Sequence, residues 1–228
     1  MISLNIAAVG CIHNDIESLL TFIDRLSTLS CDVIVCPGDF TDSLLPRGFT
    51  RIDIGTLILE ELRSLGKPVF VVPGSWDKDL IEFFNKENVS IHGSGKMYRN
   101  LGFFGYGGAR TPFNLPFEPS DDELLRGITT SYKDVENAEI KVLVTHAPPL
   151  NTKLDIIPSG AHVGSAVVRK FIESHQPQIA ICAHIHESKG SDVVGNTHIV
   201  NCGRFPEGYC GLINIEKDKI TTEVVSLI

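Results

Sequence analysis

Short apolar runs alternate with stretches of helical spacing along the first four-fifths of the chain. Residues 4–9 read as a strand. Residues 16–29 place Ile16, Leu19, Leu20, Ile23 and Leu26 on one face of a helix. The pattern then predicts a strand over 32–36, a helix over 52–65, a strand over 68–72 and a short helix over 79–85. Two or three β-like segments fall between Val89 and Tyr106, and Ser120-Asp121-Asp122 has the polar, acidic composition of a helix start running toward Tyr132. A strand over 141–145, a helix over 165–173 and a strand over 178–182 follow. The tail over 197–228 is β-rich, with a hairpin turn predicted at Glu216-Lys217-Asp218-Lys219. There is no internal repeat, low-complexity linker or break in composition, so the expectation is one domain over residues 1–228. Its class is α/β: a mixed sheet, or two packed sheets, flanked by helices.

Composition narrows the function classes. With 43% hydrophobic and 21% charged residues in 228, the chain is globular rather than disordered or fibrous. Its 28 acidic against 20 basic residues give a net charge of −8, which argues against a general nucleic-acid or membrane-surface binder. A small anionic substrate held by a local cationic centre, such as a metal, is compatible with that charge. No apolar run approaches the roughly 20 residues that span a bilayer. The start, Met1-Ile2-Ser3-Leu4-Asn5-Ile6, carries no basic segment and no cleavage-like site, so the chain reads as cytoplasmic. The six cysteines, Cys11, Cys31, Cys36, Cys182, Cys202 and Cys210, form no CxxC pair and read as reduced, mostly buried thiols. Cys11 stands apart because of where it falls.

Five apolar runs end in polar residues of one chemical kind. Residues 7–10 lead to Cys11-Ile12-His13, residues 33–38 to Asp39, and residues 69–74 to Ser75-Trp76-Asp77. Residues 142–145 lead to His146, and residues 179–183 to His184-Ile185-His186. Ligands of α/β sheets gather outside the carboxyl ends of strands, and this set is a metal-ligand inventory. In extended backbone, residues i and i+2 point the same way, so Cys11 with His13, and His184 with His186, are each expected to face a common centre. Gly10, Gly38 and Gly74 permit a sharp turn just before the polar residues. His92, His175 and His198 have no such setting and read as ordinary hydrogen-bonded histidines.

These residues resemble the motifs of the calcineurin-like metallophosphoesterases: Asp-x-His, Gly-Asp, Gly-Asn-x-(Asp or Glu), a strand-ending His, and Gly-His-x-His. The matches here are Cys11-Ile12-His13, Gly38-Asp39, Gly74-Ser75-Trp76-Asp77, His146 and Ala183-His184-Ile185-His186. Thr152-Lys153-Leu154-Asp155 and Gly160-Ala161-His162-Val163-Gly164-Ser165 look like a small archaeal and bacterial branch of that family. The resemblance implies a four-layer α-β-β-α sandwich with two mixed sheets. It implies two divalent metal ions, one held by Cys11, His13, Asp39 and His186 and the other by Asp39, Ser75, His146 and His184, with Asp39 bridging. The implied activity is hydrolysis of a phosphomonoester or phosphodiester of a small phosphorylated substrate by a metal-activated hydroxide.

Two departures bear on that expectation. Cys11 stands at the family Asp; its thiolate keeps the charge but is softer, favouring Zn or Fe over Mn or Mg, with Mn retained as a candidate. Ser75 stands at the family Asn, and its shorter neutral hydroxyl predicts a weaker second site. Trp76 takes the place of a family His that donates a proton, which shifts the expectation either toward substrates with better leaving groups or toward a donor such as His162, otherwise a loop residue making a local hydrogen bond. Arg110 and Arg204 are candidates to hold substrate phosphate. Phe113 and Phe117, in the Pro-rich loop 107–120, are expected to pack in the core, and Asp15 and Asp42 to serve as helix-start or loop residues. Two other readings remain open: a phosphoesterase fold kept as a binding or regulatory module, and a thiol hydrolase with Cys11 as nucleophile and His13 as base. The β-rich tail or the Pro-rich loop would suit a homo-oligomer contact, though nothing in the sequence demands one.

Overall fold

The computed structural model describes residues 4–217 and 219–228; Met1, Ile2 and Ser3 of the N-terminal reading and Asp218 of the hairpin turn lie outside the described residues. The chain forms two mixed sheets. The first is built from β1 (Leu4–Ala8), β2 (Val33–Cys36), β3 (Val69–Val71), β10 (Tyr209–Glu216) and β11 (Lys219–Ser226), in the order β11-β10-β1-β2-β3. Here β1, β2 and β3 run parallel, and β10 and β11 are antiparallel additions. The second is built from β4 (Gly95–Tyr98), β5 (Leu101–Tyr106), β6 (Ile140–Thr145), β7 (Ile179–Cys182), β8 (Gly190–Val194) and β9 (Thr197–Asn201), in the order β4-β5-β6-β7-β9-β8. Its four inner strands are parallel, closed at both edges by antiparallel strands.

Side-chain alternation builds the layers. Leu4, Ile6 and Ala8 of β1 point into the core between the sheets with Val33, Val35, Val142, Val144, Ile179 and Ile181. The intervening Ala7, with Ile34, Cys36, Val69 and Val71, faces the helices α1 (Ile16–Thr28) and α2 (Arg51–Ser64). On the far side Phe104, Leu143, Ala180, Cys182 and Ile199 face α4 (Asp121–Lys133) and α5 (Ala166–His175). Strands buried on both faces read as continuous apolar runs because each face has its own core. Phe70 of one sheet meets Phe103 of the other with ring centroids 4.8 Å apart. The result is the expected four-layer α-β-β-α sandwich.

Helix starts follow their caps. Thr50 and Asp53 form a capping box that starts α2 one residue before the expected position, and Ser120 with Glu123 does the same for α4. The short helix expected over 79–85 is a 3₁₀ turn (Lys78–Leu80) followed by α3 (Ile81–Lys86). Strand β8 was not foreseen: it is an edge strand whose Gly190, Ser191 and Asp192 lack an apolar signature, and pairing with β9 defines it. All six cysteines are free and buried, as expected. Phe113 is a correction: it is 75% exposed, whereas Phe117 packs against His92 and Tyr106. No helix among the described residues is long and apolar enough to cross a membrane.

Candidate metal centre

The loops after β1, β2, β3, β6 and β7 converge at one end of the sandwich. The candidate ligand atoms of Cys11, His13 and His186 lie within 4.8 Å of one another, as do those of Cys11, Asp39 and His146. His13 Nε2 is 3.3 Å from His186 Nε2 and 3.8 Å from Asp39 Oδ2. His146 Nε2 is 3.1 Å from the same Asp39 oxygen. The His184 ring lies 4.9 Å from the His146 ring. Ser75 is fully buried beside them.

Convergence is achieved by left-handed turns, which corrects the expectation of extended spacing. The strands stop at Ala8 and Cys182, and the polar residues follow in loops. Cys11 and His13 have φ of 53°, Asp39 57° and His184 71°. Non-glycine residues in this region are strained and collect at functional sites. The turns hold because the loops pair: Cys11 N–H donates to Gly38 O at 2.9 Å, His13 N–H to Asp39 O at 3.0 Å and Asn14 N–H to Phe40 O at 2.9 Å. Gly38 turns as expected, with φ of 102°. Gly74 serves close approach instead: a Cβ there would sit 2.1 Å from both the amide nitrogen and Oδ1 of Asp39. Asp77 ties the two loops together. Its carboxylate accepts from the N–H groups of Phe40, Thr41 and Gly74 and from the Thr41 hydroxyl, at 2.9–3.1 Å.

The electrostatics fit a cation. Pro37 O can only accept, so His146 Nδ1–H donates to it at 2.7 Å and Nε2 is aimed at the Asp39 carboxylate 3.1 Å away. Burial lowers the His146 pKa, but the Asp39 charge outweighs it and raises it, so a proton or a metal ion joins the two facing groups. Burial raises the Asp39 pKa, but His146 and His13 outweigh it and hold the carboxyl well below the usual range. Burial and neighbouring imidazoles push His184 down to about 3, and burial with His13 pushes His186 down to about 4, so both are neutral and able to ligate. Burial, then Asp39, pushes the Cys11 thiol up in the metal-free protein; a bound metal deprotonates such a group. Ser75 Oγ, His13 Nδ1 and His146 Nε2 are buried without a hydrogen-bond partner. Orphaned polar atoms around a thiol, a carboxylate and four imidazoles fit one or more divalent metal ions.

The other sequence candidates take separate places. Arg204 is half-buried and close enough to His186 to depress its pKa. Arg110 lines a cavity of about 270 Å³ with His184, Ala147, Gly164 and Ser165, and pairs at 3.4 Å with Asp121. His162 is not among the ligand groups. It sits on the loop 148–164, its Nδ1 2.8 Å from the buried Asp155, and its neighbours Val163 and Gly164 line the cavity. Asp15 caps α1 as expected, but Asp42 lies 3.4 Å from His13 Nδ1 and belongs to the site's surroundings. Asn201 was missed: its buried amide donates to Leu154 O and Ile185 O, tying that loop to the segment bearing His184 and His186. No local pattern marks it. His92 is the ordinary histidine expected, accepting from Gly107 N–H at 3.1 Å.

Comparison with known proteins agrees with this geometry. Residues 4–188 match the family model of the calcineurin-like phosphoesterases. Uncharacterized protein MJ1162 of Methanocaldococcus jannaschii is 38% identical over 172 residues, which are 72% of this chain and 78% of that protein. The fold is shared with TT1561 of Thermus thermophilus, at TM-score 0.74 and 19% identity over 100% of both chains. It is also shared with a dimetal phosphatase from Danio rerio, at TM-score 0.64 and 11% identity over 99% of this chain and 96% of that one. With a family match over most of its length, this chain belongs to the calcineurin-like phosphoesterases.

Proposed function

We propose that the protein is a cytoplasmic, metal-dependent phosphoesterase that hydrolyses a small phosphomonoester or phosphodiester. In this reading one divalent ion is held by Cys11, His13, Asp39 and His186, and a second by Asp39, Ser75, His146 and His184. The observation that carries it is the meeting of two candidate ligand groups around buried, unpartnered polar atoms. Bound divalent ions supply Lewis-acid activation of water and neutralise charge on the phosphoryl oxygens. The chain's own residues do the rest. Asp39 carries negative charge where cations must sit, and Pro37 presets the direction of His146 Nε2. Arg204, close to His186, holds the substrate phosphate, and Arg110 contacts the substrate portion entering the adjoining cavity. His162, held at Nδ1 by Asp155, is the proton donor to the leaving group, a role its Nε2 fills when both ring nitrogens carry hydrogen.

The test is hydrolysis of activated phosphomonoesters and diesters before and after chelation. We expect chelation to abolish turnover, Zn, Fe or Mn to restore it, and Asp39→Asn to lower kcat/KM by about 100-fold or more. Turnover indifferent to both treatments overturns the reading. A binding-module reading is favoured by one observation, the partnerless Ser75 Oγ at a family ligand position. Silence in the unmodified protein together with activity in the Cys11→Asp, Ser75→Asn double variant would establish it. A thiol hydrolase is disfavoured because Cys11 has no accessible surface for substrate attack.

A further inference from the structure

Two residues lie between the two candidate ligand groups. Cys11 belongs to the group with His13 and His186 and to the group with Asp39 and His146. Asp39, whose Oδ2 is 3.1 Å from His146 Nε2 and 3.8 Å from His13 Nε2, lies beside it. We infer that Cys11 is a bridging ligand, its thiolate shared by both metal ions, and that this sharing offsets the missing carboxamide at Ser75. The inference rests on the metal-dependent reading above and extends it to the role of one atom.

Three observations support the sharing. The sulfur is fixed in place: Cys11 is fully buried and its left-handed backbone is pinned by the bond from its N–H to Gly38 O. Second, Ser75, at the family Asn position, has a short side chain whose Oγ is buried and unpartnered. The side of the centre near His146 therefore lacks the reach of the longer amide, and a sulfur already within 4.8 Å of both His146 and Asp39 ligand atoms supplies the deficit. Third, a thiolate is large and polarisable and has more lone pairs than one metal uses. A shared sulfur predicts that both positions, and not one, prefer thiophilic ions such as Zn, Cd and Co over Mg and Mn.

Cadmium NMR on the metal-free protein reloaded with a spin-half cadmium isotope reads this without any enzymatic assay. We expect a pair of cadmium resonances, both shifted in the direction of sulfur ligation and both correlated through bonds with the same Cys11 β-protons. Cys11→Ser should lose both correlations, while Ser75→Asn, which leaves the sulfur in place, should keep them. One correlated resonance beside an uncorrelated one, or a single bound cadmium, makes Cys11 a terminal ligand and overturns the inference while leaving the metal-dependent reading intact. Correlations that persist in Cys11→Ser also overturn it, by assigning the signal to another thiol. Failure to bind cadmium at all overturns this inference and the metal-dependent reading together. The titration of the unmodified protein decides the matter even if Cys11→Ser does not fold.

Discussion

Two buried aspartates organise two regions of the molecule with nearly the same hydrogen bonds and different consequences. Asp77, beneath the metal centre, accepts from three backbone N–H groups and the Thr41 hydroxyl. Asp155, beneath the loop 148–164, accepts from the N–H groups of Asn151, Thr152 and Gly164 and from His162. Both side chains are solvent-inaccessible. Burial raises the pKa of each. Beside Asp39 the Asp77 pKa stays raised despite its N–H partners, whereas His162 and the N–H groups around Asp155 outweigh burial and lower it. Asp77 clamps loops 36 or 37 residues apart in sequence, while Asp155 closes a single loop over itself. At Asp77 the electrostatic cost of the neighbouring Asp39 accompanies a clamp on two loops, whereas at Asp155 the same hydrogen-bonding device comes with a compensating imidazole.

Substitutions sharpen that contrast. Asp77→Ala should have the largest effect, about 3–5 kcal/mol in chemical denaturation, because it strands buried N–H groups on both loops. It should also reduce the metal bound per chain, measured by elemental analysis. Gly74→Ala should cost on the order of 3 kcal/mol by forcing a methyl against Asp39, with metal content falling in step. Asp155→Ala should cost less, about 2 kcal/mol, since its donors lie under a surface loop that water can reach. Metal content should stay unchanged, and a loss of metal here would break the comparison.

The pH dependence of Asp155 has a definite sign. Its folded pKa lies below the unfolded value of about 3.9. Its contribution is therefore present in full above that unfolded value and is lost as pH falls through the folded one. The stability gap between the unmodified protein and Asp155→Asn should be constant near neutrality and close below about pH 4. His162→Gln should have the smallest effect, about 0.5–1 kcal/mol, because the imidazole is 37% exposed and the pairing is screened. Its larger consequence is expected in kcat toward substrates with poor leaving groups.

The candidate ligand positions were legible from local pattern. Cys11, His13, Asp39, Ser75, His146, His184 and His186 each follow an apolar run, and the loops after parallel strands bring Cys11, His13, Asp39, His146 and His186 into two candidate groups, with His184 beside His146. The means of convergence was not legible, because a left-handed φ at Cys11, His13, Asp39 and His184 is stabilised by contacts with other loops and leaves no trace in residue type. His162 was kept apart from the ligand set by sequence, but its partner was not legible: the aspartate seven residues away meets it only through the fold of the loop.

Hydrophobic patterning alone determined an α/β class with one mixed sheet or two packed sheets flanked by helices, and which strand ends bear polar residues, because burial on both faces requires continuous apolar runs; the four-layer form came from the family resemblance. Tertiary structure decided which of those polar groups come close enough to one another to form candidate ligand groups. The two candidate ligand groups, the sulfur common to both, the orphaned Ser75 hydroxyl and the Asp77 clamp depend on distances between segments dozens to nearly two hundred residues apart. Only the packing of two sheets against each other sets such distances.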